Sequence, residues 1–171
     1  MIGINSAMMP IGILLFSSVI PVAAKRFGSR NLAVAAALAT SLFILSYKVF
    51  DTIEAWFVIR LLQGMSISTL FVLSEAWIVG FAGSENRGKV VAIYASALSA
   101  SFGAGPAIVG WIGIEGWAPF VIGSLVILAG VIPLSLVREA DTEQPEETHT
   151  SGFFAFVPKA PMLLALSLIH I

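Results

Sequence analysis

The chain has 171 residues, of which 58% are hydrophobic and only 11% charged, with a formal net charge of −1 and no cysteine. Soluble domains carry about 25% charged residues, so a soluble globule is excluded, and apolar runs that are continuous rather than alternating favour membrane helices over a barrel. The near-neutral charge offers no nucleic-acid footprint, and the lack of cysteine removes disulfides and thiolate-held metals.

The first predicted span covers residues 5–24, interrupted by Pro10 and Pro21. Membrane helices tolerate proline where neighbours re-satisfy the freed carbonyls. A short basic turn follows with Lys25, Arg26 and Arg30. The second span, 31–49, is rich in alanine, which lets helices approach closely in lipid. After a turn with Lys48, Asp51 and Glu54 comes the third span, 55–82. It contains Arg60, Gln63 and Glu75, each costly in hydrocarbon and each needing a partner, a watery cavity or a route to the interface. By steps of three and four, Arg60, Gln63, Gly64, Ile67, Phe71, Ser74 and Glu75 share one broad face.

A polar turn with Arg87 and Lys89 leads to the fourth span, 90–113, on which Ala92, Ser96, Ala100 and Ala104 form a ridge of small residues. The fifth span, 117–137, opens on Trp117, at the level where interfacial aromatics are expected. Residues 138–160 are polar and acidic and read as a flexible linker. The single His149 there reads as solvated. Residues 161–171 begin another apolar run, too short to cross a bilayer, which takes about 20 helical residues.

Lys25, Arg26, Arg30, Arg87, Lys89, Arg138 and Lys159 fall on one side of this alternating topology, and Lys48 on the other. The positive-inside rule makes the first side cytoplasmic. The first span then starts outside, so the expectation is one span missing in front and an unfinished one behind.

These features resemble the major facilitator superfamily of secondary transporters. With one leading span added, the five spans become II to VI, the acidic stretch the central cytoplasmic linker, and 161–171 the truncated start of span VII. Three motifs carry the resemblance. Residues 21–30, PVAAKRFGSR, match the pattern G-x-x-x-D-R-x-G-R-R at Arg26, Gly28 and Arg30, with Lys25 in place of the aspartate. Arg60, Gln63 and Gly64 match R-x-x-Q-G fully. Gly105, Pro106 and Gly110 match part of the span V pattern G-x-x-x-G-P-x-x-G-G. The R-L-L-Q-G, S-E-A-W and N-R-G-K-V series also looks like the YcaD-like branch.

The resemblance implies an all-α, polytopic transmembrane bundle, a fragment of a twelve-span major facilitator fold, in the inner (cell) membrane of a bacterium. It implies a secondary active transporter that works by alternating access and is driven by a proton or ion gradient. No enzyme activity, cofactor or metal is implied. The partners are membrane lipid, a small-molecule substrate, and the missing span I and carboxy-terminal half of the same protein. Arg60, Gln63 and Gly64 become candidates for the substrate or ion pathway, Arg26, Gly28 and Arg30 a cytoplasmic gate, and Gly105, Pro106 and Gly110 the bend of span V.

Two positions keep two readings each. Arg60 either faces the cavity or snorkels to the outer interface. Glu75 either forms a structural ion pair with Arg30 or Arg87 or carries a proton. One alternative to a transporter is a small five-span membrane protein with a scaffolding or partner-binding role.

Overall fold

The computed structural model describes residues 2–81 and 86–136, all of it helix and short turns. The linker 138–160 and the run 161–171 lie outside the described residues. Six helices follow in order: α1 (Ile2–Ser17), α2 (Ile20–Phe27), α3 (Ser29–Val49), α4 (Ile53–Phe81), α5 (Arg87–Ile112) and α6 (Ala118–Leu136). Four of them, α3 to α6, are long and apolar enough to cross a membrane, and α1 with α2 makes a fifth span if the bent pair counts as one.

The first span is therefore two helices, bent by 60°. The cause is local. Pro21 sits in the first turn of α2, has no N–H, and cannot bond the carbonyl of Ser17. The chain closes the gap with a tighter turn in which the Val19 N–H donates to the Phe16 carbonyl at 2.9 Å. Pro10, by contrast, sits inside α1 without ending it. Beyond the bend, α2 buries Ile20 and Ala24 and exposes Lys25 and Arg26. Gly28 then separates α2 from α3 at φ 82°, a left-handed conformation that glycine adopts without strain. Its N–H donates to the Ala24 carbonyl at 2.9 Å, closing α2.

Helix packing is uneven. The most extensive pairing is α1 with α4, followed by α3 with α6 and α3 with α4. The α1–α4 seam is built on two glycines. A Cβ on Gly64 would collide with the Met9 backbone carbonyl, and one on Gly12 with that of Leu61. The two backbones thus touch directly, which only glycine permits. Ser68, one turn beyond Gly64, donates its hydroxyl to the Ile13 carbonyl at 3.2 Å.

Between α3 and α6, Ser41 and Ser124 share a buried hydroxyl–hydroxyl hydrogen bond of 2.5 Å. Toward the α2 end, Ile20, Ala24, Ala33 and Leu73 form the buried core, with Phe16, Leu32, Leu70 and Trp77 packed around it. Leu73, on the α4 face opposite Phe71, is fully buried here. Helix α5 stands apart: none of its residues is buried, and it touches α4 and α6 only sparingly.

Candidate functional site

Because α5 packs only sparingly against α4 and α6, a groove of about 600 Å³ opens between α3, α4, α5 and α6. Its α4 wall is formed by Gln63, Ile67, Leu70, Phe71, Ser74 and Trp77. These recur at helical steps, so one stripe of α4 lines the groove over its whole length. Ala33, Ala37, Thr40 and Ile44 of α3 form the second wall, Tyr94 and Leu98 of α5 the third, and Val126, Ile127, Gly130 and Leu134 of α6 the fourth. The lining is mainly apolar, with a few polar groups spaced along it, the usual make-up of a small-molecule site.

At one end, Tyr47 of α3 donates its hydroxyl to the side-chain carbonyl Oε1 of Gln63 at 2.6 Å. The Tyr47 ring meets Trp56 edge-on, with centroids 6.3 Å apart and planes at 80°. Trp56 is held in turn by its indole N–H, which donates to the Phe50 carbonyl at 2.7 Å. Arg60 lies one turn from Gln63 on the same helix, half-buried, and near enough to Tyr47 for its charge to act on the phenol. Among the described residues, Arg60 forms no ion pair.

Further along, the hydroxyls of Ser74 and Tyr94 approach to 3.4 Å across the groove, linking α4 to α5. The indole Nε1 of Trp77 is buried there without a hydrogen-bond partner. A buried donor left unpaired costs about 1–3 kcal/mol.

The structure separates residues that adjoin in sequence. Gln63 faces the groove, whereas Gly64 is buried against α1, where its lack of a side chain serves helix contact. Glu75 is exposed on α4, some 22 Å along the axis from Arg60 at about 1.5 Å per residue. No ion pair joins Glu75 to Arg30 or Arg87 in the described structure. Arg26 is exposed, with its guanidinium 5.5 Å from the centre of the Phe27 ring. Arg30 is half-buried and its Nε has no hydrogen-bond partner. Gly105, Pro106 and Gly110 lie on α5, which runs unbroken through Pro106, and no side chain approaches where a Cβ on Gly105 or Gly110 would sit.

Sequence pattern alone does not single out Tyr47, Trp56 and Tyr94. Aromatics in apolar spans are mostly packing, and the bonds that give these three a role join residues from different helices or turns. No group of three or more histidine, cysteine, aspartate or glutamate side chains that could hold a metal occurs among the described residues.

The profile of the Major Facilitator Superfamily matches residues 1–170. The chain is similar to YfkF of Bacillus subtilis (strain 168), described as an uncharacterized MFS-type transporter, with 24% identity over 153 residues. That alignment covers 89% of this chain and 39% of the relative. No solved structure matches. These similarities reach the superfamily and single out no branch within it.

Proposed function

The chain belongs to the major facilitator superfamily, and from that we propose that it forms part of a secondary transporter moving a small solute across the bacterial inner membrane by alternating access. The chain is an integral, multi-pass membrane protein. It spans well under half the length of the relative it matches, so the transporting unit in this reading is longer. The observation that carries the proposal is the family match over residues 1–170. It favours transport over catalysis and over a five-span scaffold.

In this reading a further span covers α5 and turns the groove into an enclosed cavity. The support is physical. Apolar helices leave small-residue faces bare only where a neighbour or lipid fills them, and no residue of α5 is buried. Arg60 and Gln63 stand on the solute pathway, while Gly64 keeps α4 seated on α1 beside it. Arg26, Gly28 and Arg30 act as a cytoplasmic gate: Gly28 permits the sharp α2–α3 turn, and the exposed Arg26 meets the other half of the transporter. Gly105, Pro106 and Gly110 give α5 a smooth surface on which a neighbouring helix slides. A proton or ion gradient drives the cycle, and Glu75, exposed on α4, serves it either as one member of an ion pair at the inner end or as a proton site.

The test is gradient-driven uptake in membrane vesicles holding the full-length protein, normalised to its abundance. Arg60→Ala is expected to abolish transport while leaving the protein in the membrane. Arg60→Lys is expected to impair it substantially, because lysine keeps the charge but loses the planar fork of donors. If Arg60 only snorkels, lysine reaches the interface nearly as well. Normal transport by Arg60→Lys together with near-normal transport by Arg60→Ala would assign Arg60 to the interface.

A further inference from the structure

We propose that Tyr47 is a positioning residue, which holds the Gln63 amide so that Gln63 and Arg60 together receive the carboxylate of an otherwise apolar anionic solute. This rests on the reading above that Arg60 and Gln63 stand on the pathway.

A primary amide has an acceptor end and a donor end. Next to a guanidinium, electrostatics alone would turn the carbonyl oxygen of Gln63 toward Arg60 and so satisfy the cation internally. The Tyr47 hydroxyl donates to that oxygen at 2.6 Å and fixes which end of the amide faces it. The amide nitrogen and its two N–H donors are left for another acceptor. The phenol is itself fixed, because its ring rests edge-on against Trp56 and the Trp56 indole is tied to the Phe50 carbonyl. The donor set is therefore pre-organised rather than floppy.

Arg60 supplies the rest. It lies one helical turn from Gln63, roughly 4.5 Å along the axis, and has no carboxylate partner among the described residues. A guanidinium within a span needs a counter-charge, and its planar fork fits a carboxylate in bidentate fashion. Beyond the donors, the groove offers Ile44, Ile67, Leu70 and Phe71, which suit a hydrocarbon or aromatic body. Its volume of about 600 Å³ holds a molecule the size of a simple aromatic or medium-chain acid.

The experiment uses the purified full-length protein in detergent and two pairs of probes, benzoate with benzamide and octanoate with octanamide. Binding is read by calorimetry at neutral pH. Each acid is expected to bind about tenfold or more tightly than its neutral amide, the scale of one charge-assisted hydrogen bond. Arg60→Ala should bring the acid down to the level of the amide. Tyr47→Phe keeps the ring against Trp56 and removes only the hydroxyl. It should weaken the acids by roughly three- to tenfold, in line with one lost hydrogen bond, with amide binding and melting temperature unchanged.

Each contrary result has its own meaning. Equal binding within both pairs, or none at all, overturns the carboxylate assignment; the latter is also the result if a carboxylate from the rest of the protein already occupies Arg60. Acid preference untouched by Tyr47→Phe overturns the positioning role alone. Acid preference that survives Arg60→Ala overturns the pathway reading beneath both.

Discussion

Helix α4 carries Gly64 and Ser68 one turn apart, and α5 carries Ala100 and Ala104 at the same spacing. The first pair lies against the α1 backbone, with a glycine contact and a hydroxyl bonded to a carbonyl. The second pair is exposed, on a helix none of whose residues is buried. The difference teaches that in an apolar solvent small residues permit close approach without compelling it, because lipid competes with the partner on equal hydrophobic terms. What locks α4 is direct backbone contact and an interhelical hydrogen bond. Helix α5 has neither, apart from the longer Ser74–Tyr94 approach at its groove face.

The strongest way to break this comparison is to fill the seam. Gly64→Leu places a branched side chain into the Met9 backbone, and the expected loss is about 3 kcal/mol or more, at the upper end for overpacking. Thermal unfolding of the detergent-solubilised full-length protein checks it. An unchanged melting temperature would show that α1 and α4 are not in backbone contact.

The mirror experiment is Ala104→Leu on α5. Nothing in the described structure opposes it. If a further span covers α5, the substitution is expected to destabilise the full-length protein by about 1–3 kcal/mol. If α5 faces lipid, melting stays where it was, and the proposed covering span belongs elsewhere.

A smaller effect is expected where α3 meets α6. Ser41→Ala deprives Ser124 of its buried partner, and interhelical hydrogen bonds in membranes are worth about 0.6 kcal/mol on average, up to about 1.7. A double-mutant cycle with Ser124→Ala isolates that coupling. A coupling energy of zero would leave the two hydroxyls as mere neighbours.

The last prediction leaves stability alone and fixes which ends of α4 and α5 share a side. Lys25→Cys and Lys89→Cys in intact cells should resist an impermeant thiol reagent, whereas Asp51→Cys and Glu115→Cys should react. All four positions are exposed, so access is governed by the membrane. The reverse pattern would invert the orientation drawn from the lysine and arginine asymmetry.

Much of the fold is legible in the sequence. The predicted spans 31–49, 55–82, 90–113 and 117–137 correspond to α3, α4, α5 and α6 with ends shifted by a few residues at most. Hydropathy is a local property, and a helix needs only its own backbone to satisfy its hydrogen bonds in lipid. The first span was legible as interrupted, since both prolines were in view. That Pro21 redirects the chain by 60° while Pro10 leaves α1 intact was not, because the outcome turns on which freed carbonyl finds a substitute.

The site was legible only in outline. Helical periodicity puts Gln63, Ile67, Phe71 and Ser74 on one face, and they do line one groove. It put Gly64 on that same broad face, yet Gly64 is buried against α1. A hundred degrees of rotation is a small difference in a periodic pattern and the whole difference between two neighbouring helices.

By itself, then, the amino-acid sequence determined that the chain is a set of membrane-crossing helices, which of their ends are basic, and to which superfamily its motifs belong. These follow from composition and from spacing along one strand of chain. The tertiary structure alone decided that Gly64 lies in a seam and Gln63 in a groove, that Tyr47 bonds a glutamine 16 residues away, and that no residue of α5 is buried among the described residues. In a soluble protein the apolar stripe announces the buried face. Here every face is apolar, so helix rotation is set by backbone contact and a few hydrogen bonds whose partners lie on other helices.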